Sequence, residues 1–294
     1  MPAKVVSLIN LKGGVAKTTT TVQLAECLAS QFSKNVLVID LDPQTNATIA
    51  LIGEEKWDKL DRKKQTVFQM FQDKLDDTSY FQVQQAIQKG VSNLQLNTLS
   101  LLPSSIKLID IQDNLDEIYK KTEGTIAPVE VLKHFIKPYL NNYDYVLIDC
   151  PPNLGNITKN GIEISDYFLI PTIPDKLSIY GLPQIVKNIH KFASRRTLNI
   201  KCLGLVITKY QKTSTKHNNV IAYELPARFK DSFRKVNLDP APIFNTFIPQ
   251  ANQIAEAMDF DMELNTNAFK KKYGYGDLNQ YVIKMTKEFI EYAK

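Results

Sequence analysis

Cysteine is scarce. The 294 residues hold three, at positions 27, 150 and 202, and no two form a C-x-x-C pair. That spacing supplies neither a zinc site nor a disulfide framework and fits a reducing compartment. Long apolar runs are missing as well: none approaches the roughly 18 residues needed to cross a bilayer. The first apolar segment begins at Val5, which leaves no room for a signal peptide ahead of it, so a cytoplasmic location is expected. Low-complexity tracts, internal repeats and any linker that would split the chain are absent, so one domain over residues 1–294 is expected. What remains is ordinary globular material, 44% hydrophobic and 23% charged, with enough apolar content for a sizeable core.

The apolar runs are short and alternate with helical patterns. Val5–Ile9, Val36–Ile39, Leu94–Leu101, Tyr145–Ile148, Phe168–Pro171 and Cys202–Thr208 have the length and continuity of buried strands. Between them lie a helix from Thr18 to about Ser30 and one opened by Pro128, with Val131, Leu132, Phe135 and Ile136 as its apolar stripe. A last helix over about 277–292 places Leu278, Tyr281, Val282, Met285, Phe289 and Ile290 on one face, as a helix docked on the domain would. The polar stretch from Gly53 to about Gln65 reads as a surface insertion leading into an amphipathic helix around Val67, Met70 and Phe71. The alternation predicts an α/β fold, a largely parallel sheet with helices on both faces.

Residues 9–20 read Ile-Asn-Leu-Lys-Gly-Gly-Val-Ala-Lys-Thr-Thr-Thr, between the first strand and the first helix. In that setting backbone N–H groups and a helix N-terminus hold a nucleotide phosphate. Gly13 and Gly14 permit close backbone approach. Lys17 reaches the β- and γ-phosphates, the Thr18 hydroxyl binds Mg²⁺, and Val15, Ala16 and Thr19 complete the nucleotide contacts. The ordinary G-x-x-x-x-G-K-[ST] pattern fails, because Leu11 and Ala16 stand at its glycine positions. A second lysine, Lys12, has little to do in its own site and is placed to reach the phosphates held by a second copy of the chain. Two further apolar strands end in carboxylates: Asp40, with Asp42 just beyond, and Asp149. At the C-terminal edge of a sheet such carboxylates can serve Mg²⁺ or its waters, or merely cap the next turn.

The form K-G-G-x-x-K-[ST] resembles the loop of the ParA/MinD family of deviant Walker-A P-loop NTPases. The resemblance covers roughly residues 3–260. Asp40-Leu41-Asp42-Pro43-Gln44 is similar to a family stretch whose first aspartate is tied to hydrolysis, which implies that Asp40 orients the attacking water and Asp42 helps form the metal and switch environment. Asp149 at the end of 143–152 looks like a Walker B carboxylate, and Pro151 to Gly155 like a second switch. The implied catalytic set is Lys12, Lys17 and Asp40; the implied metal set is Thr18, Asp40, Asp42 and Asp149. Leu102–Leu108 resembles a family segment following a strand, and Ile170-Pro171 with Tyr180-Gly181-Leu182 its interface. Thr246–Gln250, through Ile248 and Pro249, with Thr208 and Lys209, resembles the segment that closes over adenine. Two positions depart from the family: Ala16, where glycine is frequent, and Gln250, where arginine is frequent.

Net charge is only +5, but residues 187–235 hold twelve basic residues against two acidic ones, a local +10 that leaves −5 for the remainder. Such asymmetry is the footprint of a surface for a polyanion; its bland alternative is solvated helix faces. The family resemblance implies ATP and Mg²⁺ as cofactors and a slow ATP hydrolase that forms a homodimer across ATP. Such a dimer binds non-specific DNA on the nucleoid and is released when an adaptor protein on a cargo (plasmid, chromosome or carboxysome, as in the McdA-like branch) stimulates hydrolysis. The basic region about 187–237 is the expected DNA face, with Arg195, Arg196, Arg228, Arg234 and Lys235 as contacts and Lys270–Lys272 as a second set. No N-terminal helix-turn-helix extension precedes the first strand, so DNA binding is expected to use surface charge. The alternative is a MinD-like membrane-associated ATPase. Its terminal helix would insert into lipid, but here the polar face mixes Lys284, Lys287 and Lys294 with Glu288 and Glu291, and stable membrane association is not expected. Iron–sulfur relatives are excluded by the scattered cysteines, tyrosine kinases by the absence of a clustered tyrosine tail, and dethiobiotin-synthetase-like ligases find no second substrate site.

Overall fold

The computed structural model describes residues 2–260, 269–274 and 276–294. Seven strands form one sheet: β1 (Lys4–Leu8), β2 (Val36–Asp40), β3 (Gln88–Lys89), β4 (Leu99–Leu102), β5 (Tyr145–Asp149), β6 (Tyr167–Thr172) and β7 (Lys201–Ile207). Their order is β3-β4-β2-β5-β1-β6-β7, parallel throughout except for the edge pair β3 and β4. Continuous apolar runs suit such strands because both faces of a parallel sheet are covered. Alternate residues divide accordingly. Leu37, Ile39, Val146 and Ile148 enter one core layer, and Val36, Val38, Tyr145 and Leu147 enter the other.

The second layer is roofed by α1 (Lys17–Gln31), the start of α2 (Asn46–Arg62) and the terminal helix Asp277–Tyr292, whose Val282, Met285 and Phe289 are fully buried there. The first layer is roofed by α3 (Val67–Asp76) and the helices Val131–Ile136, Asn156–Ile164, Leu182–Arg196 and Leu225–Arg234.

Two local expectations change. The strand expected over 94–101 begins only at Leu99, because Ser92 (φ 77°) and Gln95 (φ 50°) adopt left-handed conformations that turn the chain. The stretch after Gly53 is no looped insertion. Gly53, at φ 74° and ψ 163°, kinks α2, which then runs on to Arg62, with Trp57 Nε1 donating to Ser104 O at 3.0 Å. A side chain at Gly53 would meet the Phe260 ring at 2.8 Å, so this position requires glycine on both counts.

Candidate nucleotide-binding site

The sheet brings the C-terminal ends of β1, β2 and β5 together. Asp149 stands in register with Leu8 on one side and Asp40 on the other, so the loop after β1 emerges directly beside both carboxylates. That edge is where ligands sit in open α/β sheets. The loop is pinned at its start by Asn10, whose amide donates to Pro171 O at 2.8 Å and whose Oδ1 accepts from Lys12 N–H at 2.9 Å. At its end Ala16 is the residue before α1, and its carbonyl accepts from Thr20 N–H at 3.0 Å. Gly14 (φ 74°) and Ala16 (φ 61°) both lie in the left-handed region, and nothing stands within 4 Å of where a Cβ on Gly13 or Gly14 would project. The open space on that side is a cradle for a group that approaches the backbone closely.

Thr18 Oγ1 donates to Asp149 Oδ2 at 2.7 Å and Thr21 Oγ1 to Asp149 Oδ1 at 3.2 Å. A hydroxyl and a carboxylate side by side at a phosphate loop form the oxygen-only donor set that suits Mg²⁺, which takes one or two protein oxygens and fills its shell from phosphate and water. Burial pushes the Asp149 carboxyl up to about 7, against the opposing Thr18 hydrogen bond and Lys17 ammonium, so a cation beside it relieves an unfavourable charge. Burial pushes Lys17 below its ordinary value, a shift that the nearby Asp149 and Asp42 oppose.

Asp40 is fully buried. Its Oδ2 accepts from Thr48 N–H at 2.9 Å and Thr48 Oγ1 at 2.7 Å, and its Oδ1 from Asp42 N–H at 3.0 Å. Asp42 Oδ1 in turn accepts from Gln44 N–H at 3.0 Å. Asp40 therefore caps the first turn of α2, and Asp42 braces the turn that leads into it. Ser104 closes this network, donating through N–H to Thr48 Oγ1 at 2.9 Å and through Oγ to Asp42 O at 2.8 Å. Burial and the neighbouring Asp149 push the Asp40 carboxyl well above the usual carboxylate range. The Cys150 thiol beside the site is buried, and burial pushes it up too, so it offers no nucleophile.

A cavity of about 380 Å³ opens beside the start of α1. Thr208, Lys209, Ile248 and Pro249 line it with Ala16 and Thr19, so these six expected nucleotide contacts share one pocket. Thr208 Oγ1, donating to Val15 O at 3.0 Å, ties the end of β7 to the loop. Gln250, the last residue of the expected adenine segment, lines the cavity too, as do Gln23 and Met258, which escaped the reading of the motifs. For Gln23 a signal existed: it follows Thr19 and Thr20 by four and three residues on one face of α1.

Lys12 Nζ turns back on its own chain, 3.3 Å from Asp175 Oδ2 and 2.9 Å from Ser178 Oγ, with its side chain still 40% exposed. Asp175 caps the helix Lys176–Tyr180 by accepting from Ser178 N–H. That short helix carries two widely exposed apolar side chains, Leu177 (78%) and Tyr180 (71%).

The expected DNA contacts divide. Arg195 and Arg234 are exposed. Arg196 is not free: its Nε and Nη2 donate to Glu163 at 3.0 Å, and Nη2 also bonds Glu130. Arg228 lies over the Tyr180 ring, 4.5 Å from its centroid, and Lys235 pairs with Asp231 at 2.7 Å. In the second set Lys270 and Lys271 are exposed, but Lys272 is buried against Glu26. Lys187, Lys191 and Arg195, four residues apart on the helix Leu182–Arg196, form an exposed basic stripe.

A parallel sheet, a glycine-bearing loop opening α1, a Thr–Asp pair and an adjoining cavity define a P-loop nucleotide-binding protein. The model of the AAA domain family matches residues 3–202. Sporulation initiation inhibitor protein Soj of Bacillus subtilis is 30% identical over 254 residues, 86% of this chain and 87% of Soj. The chain belongs to this family, as a P-loop ATPase of the ParA/MinD type. Among solved structures, apo McdA of Cyanothece aligns over 97% of this chain and 99% of its own, with a TM-score of 0.69 at 22% identity. A Borrelia burgdorferi protein described as a plasmid partition protein, bound to AMPPNP, aligns over 98% and 99%, with a TM-score of 0.68 at 21% identity. These two likenesses speak to the fold. Among the described residues no helix is long and apolar enough to cross a membrane.

Proposed function

We propose that the chain, as one domain, is a ParA-type positioning ATPase: it dimerises across ATP, binds DNA without sequence preference, and leaves DNA when an adaptor on a cargo stimulates hydrolysis. The observation that carries the nucleotide reading is the continuity of the site. The cradle over Gly13 and Gly14, the Thr18–Asp149 pair and the cavity beside Ala16 and Thr19 all gather on residues 13–19, so one site has a place for phosphates, for metal and for base.

In this reading the loop amides and Lys17 hold the β- and γ-phosphates. Thr18, with Asp149 and Asp42 behind it, holds Mg²⁺, which when bound neutralises charge on the phosphate oxygens. Asp40, fixed by Thr48, orients a water for attack on the γ-phosphorus. The new bond is from the water oxygen to phosphorus, the broken one from phosphorus to the oxygen left on ADP, and the water's protons go to phosphate and solvent. Positioning and charge carry the rate.

Lys12 leaves Asp175 and bridges to the phosphates of the second copy. The exposed Leu177 and Tyr180 beside it, with Tyr223 (76% exposed), supply apolar surface that a partner copy would cover. The ion pair Lys176–Glu224 and the Arg228–Tyr180 stack join these residues into one patch. Dimerisation then doubles a weak basic surface around Lys187, Lys191, Arg195 and Arg234. The terminal helix spends its apolar face on the core, and Glu288 accepts from Thr246 N–H at 2.9 Å, which favours the DNA-coating reading over a MinD-like anchor.

Co-sedimentation with arbitrary DNA and with anionic liposomes, each with ATP, ADP and no nucleotide, tests the proposal. ATP-dependent DNA binding that falls steeply with salt is expected. Liposome binding in its place moves the protein to the membrane-associated class, and binding to neither overturns the DNA reading.

A further inference from the structure

Gln23 is anomalous in its surroundings. It is 1% exposed on α1, and among the described residues it alone has both side-chain amide atoms buried without a hydrogen-bond partner. Interior amides are ordinarily paired, because an unpaired buried donor or acceptor carries its full desolvation cost. Apolar packing alone would be served better by methionine or leucine. Gln23 also lines the cavity that holds Thr208, Ile248 and Pro249, so the unspent donor and acceptor stand at the wall where a nucleotide base would lie.

Resting on the nucleotide-site reading above, we propose that Gln23 is a base-contacting residue, its amide pairing with the 6-amino edge of adenine. An amide matches that edge: Oε1 accepts from the 6-amino group while Nε2 donates to a flanking ring nitrogen. The pairing places no net charge in the cavity and satisfies both orphaned atoms at once. Because an amide can flip to suit a 6-carbonyl, guanine is a poor discriminator. The informative ligand is the analogue in which hydrogen replaces the 6-amino group, for it leaves Oε1 unpaired.

The test compares Kd values for ADP and purine riboside diphosphate, both with Mg²⁺, by titration calorimetry. The diphosphates keep dimerisation and hydrolysis out of the measurement. Wild type is expected to favour ADP by about three- to tenfold, the worth of one net hydrogen bond. Gln23→Met and Gln23→Leu are expected to reduce that preference by the same factor while retaining ADP binding. Nucleotide-free Gln23→Met is also expected to melt at a higher temperature than wild type, since two unpaired polar atoms leave the interior.

An unchanged preference in both variants overturns the assignment, as does a lower melting temperature with an unchanged preference, the signature of a merely structural glutamine. Equal wild-type affinities overturn it without recourse to any variant. Failure of wild type to bind either diphosphate is a different result: it removes the nucleotide site itself, and this assignment with it.

Discussion

Lys272→Met probes how the chain's end is joined to the helix that carries the phosphate loop. Lys272 Nζ lies 2.7 Å from Glu26 Oε1 and 3.0 Å from Asn93 Oδ1, and the side chains of Lys272 and Glu26 are 1% and 0% exposed. Methionine keeps the stem and removes the ammonium, leaving a carboxylate sealed in the core. Removing one partner of a buried ion pair costs about 3–5 kcal/mol. Glu26 would still accept from Tyr273 Oη, at 2.6 Å, and from Ser92 Oγ. Hydrogen bonds to a charged acceptor each contribute roughly 1.5–3 kcal/mol, so these two place the expected loss at the lower end, about 3 kcal/mol. Urea unfolding followed by circular dichroism measures it. Adding Glu26→Gln to Lys272→Met should recover at least about half, because the stranded charge is gone. A loss below about 1 kcal/mol, or a Glu26→Gln effect that adds to the first instead of offsetting it, refutes the reasoning. The same variant separates structure from DNA contact: with Lys272 shut from solvent, the salt dependence of DNA binding should not change.

Lys12→Ala should bind ATP with little loss but remain monomeric in sedimentation velocity with a slowly hydrolysed ATP analogue; normal dimerisation removes the cross-subunit role. Asp40→Ala should hold an ATP dimer on DNA with phosphate release near background, and rapid turnover would take Asp40 out of water positioning. Arg195→Ala with Arg234→Ala should lower the slope of log K against log salt by up to about 0.9 per lost phosphate contact. Arg196→Ala should leave that slope unchanged yet cost about 2 kcal/mol in urea unfolding, since it strips charged hydrogen bonds from the buried Glu163. Ala16→Gly should stabilise the protein by about 0.5–1 kcal/mol, because an L-residue at φ 61° is strained and the gain is partly offset by a more flexible unfolded chain.

What could be read in advance, and what could not, follows from where each residue finds its partner. β2 and β5 were legible because their apolar runs are buried on both faces and each stops at an aspartate that the sheet edge places beside the loop. The helical patterns of α1 and of Asp277–Tyr292 were legible for the same local reason, a periodic face against a continuous core. The continuation of α2 was not, since its polar residues past Gly53 gave no stripe and its anchor, Trp57 to Ser104, spans 47 positions. Charge counting overstated the free charge for a similar reason. The local +10 over residues 187–235 includes Arg196, which is neutralised by Glu163 and Glu130, 33 and 66 residues away, on other elements. Lys272 reaches Glu26 across 246 positions and leaves the surface altogether. The Gly13–Thr18 part of K-G-G-x-x-K-T survives translation into structure because its partners are its own backbone and the strand ends beside it, whereas Lys12 finds Asp175 at a helix cap 163 positions away. A count of basic residues does not survive it, because each charge is spent or left free by whatever the fold sets against it. Arg195 and Arg234, exposed, are the charges of the expected DNA set that the fold leaves open.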